Sequence, residues 1–145
     1  MDCTVAQRSE ELFQSGWYCA ESVLLAIAEA HGIESEIIPK IATAYCSGVA
    51  RTGDTCGAVS GALMGLSLVK GRSTPDIPVD ETYLLAQKFL KKFIALHETT
   101  SCRGLIGVDL NTTDGQALFQ KLDLGKQCAE YVGHAAEIVM DLLEE

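Results

Sequence analysis

Ala20, Val23, Leu24, Ile27, Ala28 and His31 recur at the i, i+3, i+4, i+7, i+8 spacing that lines one face of an α-helix, and Gly32 follows as a stop. The same period returns along most of the chain, while no segment alternates apolar and polar residues with period two. Asp114-Gly115 is a formal hairpin dipeptide, but Thr113 and Gln116 make a capping box around it and helical spacing follows. No repeat of fixed period is visible. The expectation is an all-α chain, a compact single-domain antiparallel bundle of about six to eight helices over residues 1–145. A chain of this length buries about two-thirds of its unfolded surface in one core.

The local signals divide the chain further. Thr4 and Gln7 form a capping box for a first helix with Val5, Leu12 and Phe13 on one face, stopped at Gly16. Ser35 is the expected N-cap of a third helix carrying Ile37, Ile38, Ile41, Ala42 and Tyr45, with Pro39 in its first turn and Gly48 at its end. A loop from Ser47 to Thr55 then leads, with Asp54 or Thr55 as cap, into an uncharged stretch ending at Val69. That stretch has 15 residues, against about 20 needed to span a bilayer, so it reads as a buried helix and not a membrane span. Asp80 is the expected cap of a fifth helix with Leu84, Leu85, Phe89, Phe93, Ile94 and Leu96 inward and Lys88, Lys91 and Lys92 outward. Ser101 opens a short turn through Ile106, and the Thr113–Gln116 box leads into Ala117, Leu118 and Leu122. Gly125 separates these from a last helix with Cys128, Val132, Ala135, Ala136, Val139, Met140 and Leu143 in a stripe.

Charge and cysteine content narrow the chemistry. A net charge of −9 is the wrong sign for a phosphate-backbone binder, so nucleic acid is disfavoured. The N-terminal segment shows no basic region followed by an apolar run, which leads to the expectation of a cytoplasmic protein with reduced thiols. The six cysteines, Cys3, Cys19, Cys46, Cys56, Cys102 and Cys128, include no C-x-x-C. Zinc ribbons, thioredoxin-type dithiols, bacterial ferredoxin loops and c-type haem attachment are therefore unsupported. Any shared centre has to be assembled in three dimensions.

Cys19, Cys56, Cys102 and Cys128 each fall close to an expected helix start, where unsatisfied N–H groups and the helix dipole favour a thiolate. Cys46 lies near a helix end and Cys3 in a terminus, and both are left out of the centre. The alternative is that these cysteines are small buried hydrophobes, which suits Cys128 on its apolar stripe. After Cys56, the glycines Gly57, Gly61 and Gly65 share one helix face. Either another helix packs against that face backbone to backbone, or a bulky group beside Cys56 takes the space, in which case Gly57 and Gly61 bind the cofactor. His31, His97 and His134 show no paired ligand spacing and read as surface or helix-end residues. Asn111-Thr112-Thr113 is a glycosylation sequon in form, and serine-hydrolase, Walker and Rossmann patterns are absent.

These residues resemble a bacterial and archaeal family of redox-active proteins of similar length that carries a CGAxxG motif and four cysteines. Cys56-Gly57-Ala58-Val59-Ser60-Gly61 looks like the motif, Cys19-Ala20 like its upstream cysteine, Cys102-Arg103-Gly104-Leu105-Ile106-Gly107 like the third and Cys128 like the last. The family's stretch before the motif is usually richer in glycine than Tyr45-Cys46-Ser47-Gly48-Val49-Ala50, which makes Cys46 a candidate fifth participant. The resemblance implies a helical cytosolic domain of a prokaryote, a redox role, and genes that often neighbour transporters, hence a link to a membrane transport system. A similar domain occurs joined to multihaem cytochromes, where the family cysteines accompany an iron–sulfur centre.

Three functions follow as expectations. In the first, Cys19, Cys56, Cys102 and Cys128 ligate an iron–sulfur cluster, [2Fe–2S] by preference, that exchanges electrons with a redox partner protein. A four-cysteine structural zinc site would look the same in sequence. In the second, no metal is bound and the same four are redox-active catalytic thiols, with Cys56 the favoured nucleophile. In the third, the chain is a structural or partner-binding module whose cysteines are core. The glycine face and the helix carrying Phe89 and Phe93 suit packing within a monomer or across a homodimer alike.

Overall fold

Gln7 N donates to Thr4 Oγ1 at 3.0 Å and Thr4 N to Gln7 Oε1 at 2.9 Å, closing the expected capping box and starting α1 (Val5–Gln14). The computed structural model describes residues 3–145. After α1 come α2 (Cys19–Ala30), a 3₁₀ turn (Lys40–Tyr45), α3 (Cys46–Arg51), α4 (Gly57–Lys70), α5 (Asp80–His97), α6 (Cys102–Ile106), α7 (Thr113–Lys121) and α8 (Gly125–Glu144). The chain is all-α as its periodicity requires. Among the described residues the β-structure is a single isolated antiparallel bridge, Thr55 to Ser101. Among the same residues no helix is long and apolar enough to cross a membrane.

The core is built where α2, α4, α5 and α8 meet. Val23 and Ile27 of α2, Val59, Ala62 and Leu66 of α4, Phe89 and Phe93 of α5, and Val132, Ala135, Ala136 and Val139 of α8 are all buried in it. α1 lies along α2 and α8 and adds Leu12. The glycine face of α4 packs against α2: a Cβ at Gly61 would lie 2.5 Å from the Ala20 carbonyl oxygen, and one at Gly65 would lie 2.5 Å from Ile27 Cδ1. Close backbone approach is therefore what Gly61 and Gly65 supply, and it offsets the roughly 1 kcal/mol that each glycine costs inside a helix.

Several boundaries differ from expectation. The third helix is a 3₁₀ turn with Pro39 as its N-cap and not in its first turn, and of its expected apolar face only Ala42 is buried. Ile37, Ile41 and Tyr45 stay exposed and border an apolar surface groove with Leu24, Leu63, Met64 and Leu68. Gly48 does not end a helix. It sits inside α3, where Ser47, Gly48, Val49, Ala50 and Arg51 have φ of 59°, 65°, 59°, 54° and 71°, a left-handed turn that no periodicity signals. Cys56, and not Asp54 or Thr55, is the N-cap of α4, Val79 replaces Asp80 as the cap of α5, and Thr112 Oγ1 caps α7 one residue earlier than expected. Gly125 is the first residue of α8, and Asp123, with φ 53°, takes the left-handed position before it.

Two helices also bury a narrower stripe than their periodicity predicts. Leu84, Ile94 and Leu96 are 53%, 44% and 58% exposed, because α5 packs on α4 and α8 from one side and needs only the stripe of Leu85, Phe89 and Phe93. On α7, Leu118 and Leu122 are exposed, and Gly115 and Phe119 turn inward instead.

Candidate thiol centre

The short ladder around the Thr55–Ser101 bridge sets two of the four cysteines. Cys56 N donates to the Thr100 carbonyl at 2.6 Å and Cys102 N to the Asp54 carbonyl at 2.7 Å. With Thr55 opposite Ser101, the flanking residues 56 and 102 turn to the same face. Each then begins a helix: Cys56 is the N-cap of α4 and Cys102 the first residue of α6, whose cap Ser101 accepts from Gly104 N at 3.1 Å. Thus a two-strand contact delivers two helix starts side by side.

Cys19 reaches them through glycine. It is the first residue of α2, where Tyr18 N donates to Glu21 Oε1 at 3.1 Å and Thr43 Oγ1 to Glu21 Oε2 at 2.9 Å. A Cβ on Gly57 would lie 2.9 Å from Cys19 Cβ and 3.1 Å from Ala20 N, so the absence of a side chain beside Cys56 lets the start of α2 close against the start of α4. Cys128, in the first turns of α8, completes the set by lining the same cavity as Cys19.

All four thiols line one cavity of about 310 Å³. Cys56, Cys102 and Cys128 are buried and Cys19 is half-buried; Gly48, Gly57, Leu105, Phe119 and Tyr131 fill the spaces between them. Gly61 lies against Ala20 and does not line the cavity, which corrects its expected role beside a bound group, whereas Gly57 does line it. Cys46 lies in a separate small core with Ala20, Leu24 and Ala42 and donates its thiol to the Ala42 carbonyl at 3.6 Å. Cys3 is exposed next to Glu11. Both stand outside the cavity.

The helix-start argument holds for the geometry more than for the charge. The N–H groups of Ala58 and Val59 do favour a Cys56 thiolate, but burial outweighs them and pushes this thiol up to about 11. Burial, reinforced by the nearby Cys56 and Cys128, pushes Cys102 up to about 12. Cys19 is raised chiefly by its interaction with Cys128 and by burial, while the same interaction holds Cys128 below the ordinary thiol value. Cys19 and Cys128 therefore titrate as a coupled pair, shifted in opposite directions by each other.

Three features escaped the sequence reading. Tyr131, three residues after Cys128 on α8, lines the cavity and directs its hydroxyl to the Leu105 carbonyl at 3.4 Å. Its i, i+3 relation to Cys128 was the available signal. Behind it, His97 meets the Tyr131 ring edge-on with centroids 4.8 Å apart, and His97 Nε2 pairs with His134 Nδ1 at 3.0 Å. These two histidines are neighbours across α5 and α8 and not isolated surface residues, a pairing that 36 intervening residues hide from any local motif. The third is Arg51, which the left-handed turn brings to the cavity.

Fold and site together define a helical protein with a cavity lined by cysteines from four separate parts of the chain. The chain belongs to the family described as "Putative redox-active protein (C_GCAxxG_C_C)", whose model matches residues 17–142. The match takes in all four cavity cysteines. An uncharacterized protein of Archaeoglobus fulgidus is 28% identical over 149 residues, covering 96% of this chain and 93% of that protein. No solved structure matches the chain.

Proposed function

We propose that this protein is a one-electron carrier whose Cys19, Cys56, Cys102 and Cys128 hold an iron–sulfur centre, [2Fe–2S] by preference. The observation that carries the reading is the convergence of four thiols from four helices on one cavity, in a chain of a redox-active family. The donor set fits the group, since all-thiolate ligation is what such clusters take. The family's redox description supports a cluster over a single zinc, because zinc has no redox chemistry of its own. When bound, the cluster would supply the accepting and donating of one electron. The chain's own part is to exclude water with Leu105, Phe119 and Tyr131 and to give up four thiol protons on loading. Because burial opposes the Cys56 and Cys102 thiolates, cluster uptake should strengthen with rising pH.

The coupling of Cys19 and Cys128 in one cavity favours a second reading, a metal-free thiol–disulfide couple in which these two sulfurs join and release two electrons and two protons. Near-ultraviolet and visible absorption of protein purified without oxygen, with iron, zinc and acid-labile sulfide assayed on the same sample, separates the two. The expected result is visible bands with matching iron and sulfide that vanish in Cys56→Ser and persist in Cys3→Ser. A colourless, metal-free protein that loses two thiols on oxidation overturns the cluster in favour of the couple. Equal effects of the two substitutions overturn the site.

A further inference from the structure

The chain carries 20 Asp and Glu against 11 Lys and Arg. Yet among the described residues no carboxylate lines the thiol cavity, and the one charged side chain that does, thiols aside, is Arg51. The exposed lining residues are Tyr18, Arg51, Gln116 and Gln120, which make them the rim. Each ends in a hydrogen-bond donor, and they come from three separate parts of the chain. In a protein this acidic, a rim without carboxylates is a place where a negatively charged molecule meets no lining carboxylate to repel it.

Arg51 is also free to receive it. Arg8 holds Glu29 at 2.9 Å, Arg103 reaches Asp109 at 3.9 Å and Arg72 donates to the Pro75 carbonyl at 2.9 Å. Among the described residues the Arg51 side chain has no such partner. Nor is its position a relaxed one. It ends the left-handed run of α3, in which Ser47, Val49, Ala50 and Arg51 each cost roughly 1–2 kcal/mol against a right-handed conformation. The Gly48 carbonyl holds the run closed by accepting from Thr52 Oγ1 at 2.8 Å and from Asp54 N at 3.0 Å. Strain of this kind persists where surrounding structure enforces it, and binding sites are where it gathers.

We infer that the rim is an anion-binding subsite, and that the small molecule meeting the thiol centre bears a carboxylate or another oxyanion group held by the Arg51 guanidinium. Gln116, whose amide is steadied by a 2.9 Å bond to the Leu110 carbonyl, and Gln120 face it from α7. The inference rests on the cavity being the reactive site, but its test does not require a cluster.

The test compares iodoacetate with iodoacetamide, a charged and a neutral alkylating agent of similar size, on the reduced full-length chain, with each cysteine followed by mass spectrometry. Cys3, exposed beside Glu11, is the internal reference. The ratio of the two rates at Cys102 and Cys128 is expected to exceed that at Cys3 by roughly tenfold. It should fall to the Cys3 value in Arg51→Gln, recover in part in Arg51→Lys, and drop when sulfate competes. Should Arg51→Gln fail to fold, Gln120→Glu puts a carboxylate on the exposed rim and is expected to lower the ratio by itself. Where the visible spectrum shows a bound cluster, the same variants are compared by its oxidation with ferricyanide against a neutral quinone. A cavity ratio no higher than that of Cys3, or one unmoved by these substitutions, overturns the subsite. The spectrum decides the cluster separately, so the two ideas fail independently.

Discussion

Gly48 shows how much of the site depends on single atoms. Its φ of 65° is left-handed, and a Cβ there would overlap the Cys102 Cβ and lie 3.0 Å from the Cys102 sulfur. Gly53, with φ 77°, is left-handed too, but its added Cβ would lie 3.1 Å from Arg103 Cβ, a smaller overlap that involves no cavity thiol. Both Gly→Ala substitutions carry the backbone penalty, and only the first forces a cavity thiol to move. Gly48→Ala should therefore cost about 2–4 kcal/mol in urea unfolding, more than Gly53→Ala, and should change the alkylation rate at Cys102. Equal losses would mean that contact with Cys102 is not what Gly48 provides.

Among the elements, α4 joins fold to chemistry, because the same glycine face that docks it on α2 also draws Cys19 to Cys56. At Gly61 the obstacle is the Ala20 backbone, which cannot step aside as a side chain can. Gly61→Ala should destabilise by about 1–2 kcal/mol, overpacking outweighing the gain in helix propensity. Gly125, at the start of α8, has nothing within 4 Å of an added Cβ. Gly125→Ala should stabilise by about 0.5 kcal/mol, so thermal melts of the two variants are expected to move in opposite directions. The glycine pattern was legible in sequence because period and composition are local properties. The exposed side of α5 was not, since Leu84, Ile94 and Leu96 fit a helical stripe as well as Leu85 does, and only the number of neighbouring helices decides how wide a stripe is buried. The grouping of the four cysteines could be anticipated from their places at helix starts and from the family motif. Their protonation could not, because burial depends on packing that no helix-start rule contains, and neither could the handedness of residues 47–51.

At the scale of the whole molecule, the buried thiols and the histidine pair bound the pH range in which the metal-free form is stable. Cys56 and Cys102 titrate near 11 and 12 in the fold, against about 9 for a free thiol. As pH rises past about 9, the unfolded chain therefore loses those protons first and stability falls, continuing until the folded thiols ionise. Tyr131, raised by burial and by the neighbouring cysteines, adds to the same limb. On the acid side the sign reverses. His97 is lowered by burial and by His134, so below about pH 6.5 the unfolded chain takes up that proton first and stability falls with decreasing pH. Glu130 opposes this shift, and a doubly protonated pair could no longer share the 3.0 Å bond between His97 and His134. Urea midpoints of the thiol form should thus be highest near about pH 7.5 and lower at both about pH 5.5 and about pH 10. Cys102→Ser should flatten the alkaline fall and His97→Gln the acid one, each leaving the other limb in place. A midpoint that holds from about pH 7.5 to pH 10 would show that the thiols ionise without resistance. In that event the four cysteines would not be shielded by the fold, and the water-excluded cavity on which the redox reading depends would have to be given up.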